Sequence, residues 1–428
     1  MKSIIYILSI IFLISCNHKE TVINKETLEL PIQLSEAYIS QKAAYFTINN
    51  GTIKGDGLNV WKELITQSQF VALGERHDSE ATSQLVDAIL PILDTTGYHH
   101  FAIEVGPHSA KKLKQLSTPI EDTEKNLTEF IAKYAGNESY SIPIPFFRAI
   151  SDAKFLKTAR SHHMNLWGLD QEYYSSSEYF MDELLVYATD HPKYEEIKMT
   201  HQKVKAIIKK WSDIDDDESR EIDLFEEIQK DTTVQSYLSH FRKMENTREI
   251  INDLEISWDI YSRWRDDSHA DRISYMRTNF MNAYTKALEK ESEPKVLLKF
   301  GSLHTSKILT GNCYDLGDLV TQLALKNGTQ ATTINSWNRY YIDDDGTEID
   351  YLEKYSNYYN RLQSFMSLAK KDQWVIINLK SIRDDIINGK VILPKNGDYH
   401  RIKALIDGYD YQLILPLDQK SKGLVENY

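Results

Sequence analysis

The chain is poor in cysteine: its 428 residues hold two, Cys16 and Cys313. If Cys16 is committed elsewhere, as its setting suggests, no intrachain disulfide is available and stability must come from a packed core. Positive charge is also short. Fifty Lys and Arg against 63 Asp and Glu give a formal charge of -13, which argues against wrapping nucleic acid, since that needs a basic face. Long apolar runs are missing. The stretch Ile4–Ser15 falls short of the about 20 residues that span a bilayer, and no later run approaches that length. From Ser175 to about Glu291 there is no glycine and a single proline. What remains is ordinary for a globular protein, with 41% hydrophobic residues.

The N-terminus reads as an export signal, with Lys2 ahead of the apolar stretch. It closes on Leu13-Ile14-Ser15-Cys16, which resembles a bacterial lipobox. That resemblance implies a signal peptide over 1–16, with lipidation at Cys16 and a chain anchored to the cell envelope, on its periplasmic or cell-surface face, without spanning the membrane. Residues 17–35 are polar and aperiodic and read as a tether. Residues 36–428 remain for one large α/β domain.

Within that domain "FVALGE" (70–75) reads as a buried strand, "SEATSQLVDAILPILDTTG" as a helix with Gly97 as its stop, and "HHFAIEVG" as a second strand ending at Glu104. This strand–helix–strand order predicts a mainly parallel central sheet flanked by helices. "MNLWGLD" predicts a third strand ending at Asp170. The segment of about 175–291 reads as a large helical insertion of amphipathic helices. Its tyrosines and tryptophans suit an apolar or ring-bearing ligand, and the insertion is expected to cover the site. After it, "KVLLKFGSLH" restores strand and turn, "ATTINSW", "QWVIINL" and "YQLILPL" are further strands, and "YYIDDDGTEIDYL" reads as a hairpin turning at Asp345-Gly346.

Polar groups stand where these strands end: Glu75 and His77, Glu104, and His304. In open α/β sheets the crevice beyond the carboxyl ends of the strands is where ligands bind. Two carboxylates and two imidazoles converging there would shift one another's protonation and could activate water. The same donors, His77, Glu75, Glu104 and His304, could hold a divalent metal. Each residue also has a plain structural use. Glu75 could support the next helix, although Asp78 and Ser79 are better caps; Glu104 could pair with Arg76 or Lys111; His304 could open a helix. Gly74 is expected to allow a tight turn. The pairs His99-His100 and His162-His163 could bind haem but lack a Cys-x-x-Cys-His setting.

Several of these segments, in order over roughly 68–325, resemble the erythromycin esterase/ChaN-like superfamily, which also includes the TraB and Tiki proteins. They are "LGERHDSE", "GYHHFAIEVG", "LWGLDQE", "DRISYMRTNF", "KFGSLHTSK" and "LGDLV". The resemblance implies that Glu75, His77, Glu104 and His304 act on a water that attacks an ester, with Arg272 as a nearby electrostatic partner and Asp170 as a weaker candidate. One departure matters. The esterases place two residues between the first Glu and His, whereas only Arg76 intervenes here. That spacing is closer to the ChaN type, which are haem-binding lipoproteins, and Gly74-Glu75-Arg76-His77 also fits the Gly-x-x-His motif of the metal-dependent Tiki peptidases. The substrate class implied is therefore a small molecule or a peptide with an ester, lactone or amide bond. Haem or a divalent metal stays open as cofactor.

Overall fold

The computed structural model describes residues 30–136, 141–215, 223–264, 268–395 and 398–425. The expected signal segment, Cys16 and most of the expected tether lie outside these residues. The last part of that tether belongs to the fold: Ile32–Gln33 pairs in parallel with Val391–Ile392, and Ser35 caps the helix Glu36–Ser40.

The centre is a nine-stranded sheet. In chain order its strands are β1 (Ala43–Asn49), β2 (Thr52–Lys54), β3 (Phe70–Glu75), β4 (Tyr98–Ile103), β5 (Asn165–Gly168), β6 (Lys295–Gly301), β7 (Ala331–Asn338), β8 (Trp374–Asn378) and β9 (Tyr411–Leu415). Across the sheet they lie in the order β2-β1-β8-β9-β7-β3-β6-β4-β5. The six from β9 to β5 run parallel, while β8, β1 and β2 add an antiparallel edge. The fold is thus the expected α/β type with a mainly parallel sheet. The predicted strand–helix–strand unit is there, but β3 and β4 are not neighbours. Strand β6, almost two hundred residues later, lies between them. Local periodicity predicts strands; it carries no record of which distant strand fills a gap.

Helices α1 (Glu80–Asp94) and α2 (Ile150–Ser161) cover one face of the sheet, and α3 (His269–Leu288) and α4 (Leu316–Asn327) the other. Alternation along the strands decides which face each side chain meets. Val71 and Leu73 on β3 and Leu297 on β6 pack with Leu85, Ile89 and Phe155. Phe70, Ala72, Leu298 and Phe300 pack with Met276, Phe280 and Val320. Continuing the first series, Glu75 and Lys299 face the α1/α2 side, and Lys299 Nζ lies 5.4 Å from the Phe155 ring. The expected insertion is helical: Ser177–Tyr187, Tyr194–Asp215, Leu224–Lys230, Thr232–Ser239 and Glu245–Ser262 precede α3. The hairpin is present as Tyr340–Ile342 against Glu348–Asp350, with Gly346 at φ 81°. No helix among the described residues is long and apolar enough to cross a membrane.

Candidate functional site

Glu75 is the last residue of β3, Glu104 follows β4 directly, and Asp170 lies two residues past β5. His304 sits in a single 3-10 turn, Ser302–Thr305, after β6. The parallel register places Glu75 opposite Gly301 and Ile103 opposite Lys299, so the strand ends converge. His77 Nδ1 lies 3.3 Å from Glu75 Oε1, and its Nε2 lies 3.9 Å from Glu104 Oε2. His304 Nε2 is 3.4 Å from Glu104 Oε1. Arg272, on the first turn of α3, reaches in to donate to Glu104 Oε1 at 3.1 Å and makes a two-pronged pair with Asp170. The five residues predicted for the site, and Asp170 with them, therefore form one cluster.

Two members lie in or beside the motifs without being predicted for the site. Lys299 Nζ pairs with Glu75 Oε2 at 2.6 Å, both side chains being buried. Asp315, the cap of α4, accepts from His304 Nδ1 at 2.6 Å. A lysine inside the apolar run "VLLKFG" is the signal that could find the first, because a buried ammonium needs a partner. Asp315 stands immediately before "LGDLV" and reads as nothing more than a helix cap.

Glycines make the room. A Cβ on Gly74 would lie 2.5 Å from Thr305 Oγ1 and 2.7 Å from the Ile334 carbonyl oxygen, and one on Gly301 would lie 3.0 Å from His77 Nε2. Gly74 is thus required by close approach and not by the tight turn expected of it. The left-handed residue here is Asp78, at φ 60°. Ser79 caps α1, as its type predicts.

These contacts set the charges. Burial alone would push the Glu75 carboxyl up, but Lys299 and then His77 outweigh it and hold it below the usual carboxylate range. Burial likewise opposes ionised Glu104, and His304, His77 and Arg272 overcome it, so that carboxyl is held well down. For His304 burial pulls the imidazole down, while Glu104 and Asp315 lift it to about 10. It is a cation at neutral pH. His77 feels burial downward and Glu104 and Glu75 upward, with a net upward shift. Arg272 is held as a permanent cation; burial opposes its charge, and Asp170 and Glu104 outweigh burial. Below the pair of Glu75 and Lys299, burial raises Asp152 on α2 to about 7, against the pull of Lys299 and of Ser83, whose hydroxyl donates to it at 2.7 Å.

Of the cluster, His77 alone is substantially open, with 39% of its side chain exposed; Glu75, Glu104, His304 and Arg272 lie between 3% and 17%. Its ring stacks on Phe146 with centroids 4.1 Å apart. The alternative uses of these residues are not realised. Arg76 turns away to Tyr351 and Tyr341, and Lys111 pairs with Glu249.

Neither metal nor haem fits the buried members of this donor set. Glu75 is held by Lys299, and Glu104 by Arg272, His304 and the Gly301 N–H at 2.6 Å. Among the described residues no three His, Cys, Asp or Glu side chains are grouped to hold an ion. A haem iron needs a free imidazole nitrogen; both of His304 face carboxylates. The two histidine pairs lie elsewhere, at the opposite end of β4 and after α2. His99 and His100 share Glu291, and His162 pairs with Asp94.

No protein-family model matches the chain, and no curated protein sequence matches it. Solved structures do. A crystal structure of a Bacillus cereus protein is similar with a TM-score of 0.53 at 14% identity, covering 91% of this chain and 98% of that one. The erythromycin esterase EreC, a histidine-to-asparagine variant in its open conformation, gives a TM-score of 0.50 at 11% identity, covering 90% and 99%. Haem-bound ChaN of Campylobacter jejuni gives 0.30 at 14% identity over 69% and 91%, a likeness too slight to weigh. Sequence motifs in the right order and a shared fold over nine-tenths of the chain agree: this chain has the erythromycin esterase-like fold.

Proposed function

We propose that the protein is a hydrolase in which His77 activates water against an ester, lactone or amide bond. The observation that carries this reading is the placement of His77. It is the open imidazole of the cluster, backed by Glu75 at 3.3 Å and standing 3.9 Å from Glu104. A water beside it would meet a base on one side and fixed charge on the other. Glu75 steadies the imidazolium that forms when His77 takes the proton, and Lys299 keeps Glu75 ionised. His304, a cation through Asp315 and Glu104, and Arg272 supply positive charge toward the oxyanion that develops on the attacked carbonyl. The same fold carries an erythromycin esterase, but folds host many chemistries, so the case rests on the side chains.

A base must be neutral to accept a proton. Because the His77 imidazole is shifted upward, its neutral fraction grows only as pH rises past the ordinary imidazole value. Activity should therefore rise with pH on a limb governed by His77. Assayed on a panel of ester, lactone and peptide substrates, His77→Ala should lose kcat/KM by roughly 10²-fold or more and lose that limb, while still folding cooperatively. Turnover that survives the substitution unchanged would remove His77 as the base.

A further inference from the structure

We propose that Phe146 is a positioning residue that fixes the plane of the His77 imidazole. Phe146 has φ 61°, a left-handed conformation that residues with a Cβ seldom adopt. Strain of this kind persists where the surroundings hold it, and it gathers at functional sites. The surroundings here are specific. Ile142, Ile144 and Phe147 of the same segment are buried in the protein, and the Leu424 N–H donates to the Arg148 carbonyl at 2.8 Å. Arg148 Nη2 pairs with Asp78 at 2.6 Å. Phe146, half-buried at the edge of the core, lies flat on His77, the planes 16° apart. Two adjoining contacts, Phe146 on His77 and Arg148 on Asp78, thus tie two left-handed backbones together.

The consequence is geometric. A turn of the imidazole about its own Cβ–Cγ bond would take Nδ1 off Glu75 and Nε2 away from Glu104 at once. The stack opposes that turn, and Gly301 bounds the ring at its Nε2 edge. The charged groups that face His77 are Glu75, Glu104 and Lys299; Asp78 with Arg148 stands beside it. Arg272 and His304 act on it through Glu104. Any loosening of the ring should therefore read out in its protonation.

The activity half of the test rests on the hydrolase reading; the titration half does not. The His77 imidazole is titrated by NMR in the full chain for wild type, Phe146→Gly, Phe146→Leu and Phe146→Tyr, with melting temperatures and kinetics on the same substrate panel. Phe146→Gly removes the ring and suits the left-handed backbone, so relief of strain offsets part of the packing lost and the chain should keep its fold. Its His77 pKa should fall back toward the ordinary imidazole value, and kcat should drop about tenfold or more. Phe146→Leu should shift the titration likewise, and Phe146→Tyr should restore the wild-type curve and rate. A lowered melting temperature with an unmoved His77 titration in Phe146→Gly and Phe146→Leu would overturn the proposal and leave Phe146 a packing residue. If wild type hydrolyses nothing on the panel, the hydrolase reading fails, and the titration still decides the positioning role.

Discussion

Lys299 sits in the middle of the site's support and is 5% exposed. Its ammonium survives there because Glu75 stands 2.6 Å away, itself 4% exposed. A pair this deep is weak evidence for stability as a pair, since desolvation offsets much of the attraction, but breaking it from one side strands a charge. Lys299→Met should therefore cost about 3–5 kcal/mol in denaturant unfolding, and the double variant Lys299→Met/Glu75→Gln should recover a large part of that. Equal losses in the single and double variants would show that a charge stranded on Glu75 is not what destabilises the single variant. In either variant the His77 Nδ1 partner is weakened, so activity should stay low even where stability returns.

At the scale of elements, the close approach of β3, β6 and the turn Ser302–Thr305 makes two glycines unequal. A methyl on Gly74 meets backbone atoms, the Ile334 carbonyl oxygen at 2.7 Å and Ser302 Cα at 2.8 Å. Gly74→Ala should lower stability by about 1–3 kcal/mol, the usual cost of overpacking. A methyl on Gly301 meets the His77 ring edge at 3.0–3.3 Å, and an open side chain can give way. Gly301→Ala should keep its melting temperature within a few degrees and lose activity through a displaced imidazole. Melting curves and kcat/KM on the two variants check this, and the reverse ranking would refute it. These elements also mark what was legible in the sequence. The strands β3, β4 and β6 and the helix α1 are short-range patterns that the residues show directly. The meeting of Glu75, Glu104 and His304 followed from strand ends and motif order. The insertion of β6 between β3 and β4 was not legible, because it is decided by long-range pairing. Nor was the use of the aromatic residues of the helical insertion. Tyr179, Tyr237 and Trp258 are almost fully buried in the core that continues from the sheet, whereas Phe225, Tyr261 and Trp264 line an open pocket. Phe146, which does touch the site, stands outside the insertion and outside the motifs, and its role depends on a backbone angle that composition does not announce.

For the whole molecule, the crevice makes stability and activity pull toward different pH. Glu75 and Glu104 are held below the ordinary carboxylate value of 4.5. Their contribution is complete above that value and is lost as pH falls through their folded pKa values. The histidines have the opposite sign. His304 is raised from 6.5 to about 10 and His77 is raised in the same sense. What they contribute is complete below 6.5 and drains away as pH climbs, for His304 up to about 10. The site's share of folding stability is thus greatest between the ordinary carboxylate and imidazole values. Other buried groups titrate as well, Asp152 among them with its upward shift to about 7, so the slope assigned to His304 has to be isolated by comparison. Melting temperatures of wild type and His304→Gln, measured from pH 5 to pH 10, do this. The wild type should lose stability on the alkaline side relative to the variant, and the gap between the two curves should close as pH approaches 10. Catalysis by neutral His77 runs the other way and should still be rising where the stability that His304 contributes is already falling. A protein working in this manner has its fastest turnover on the alkaline shoulder of its stability curve; a constant gap between wild type and His304→Gln across that range would mean that His304 is not the buried cation on which the electrostatics of the site depend.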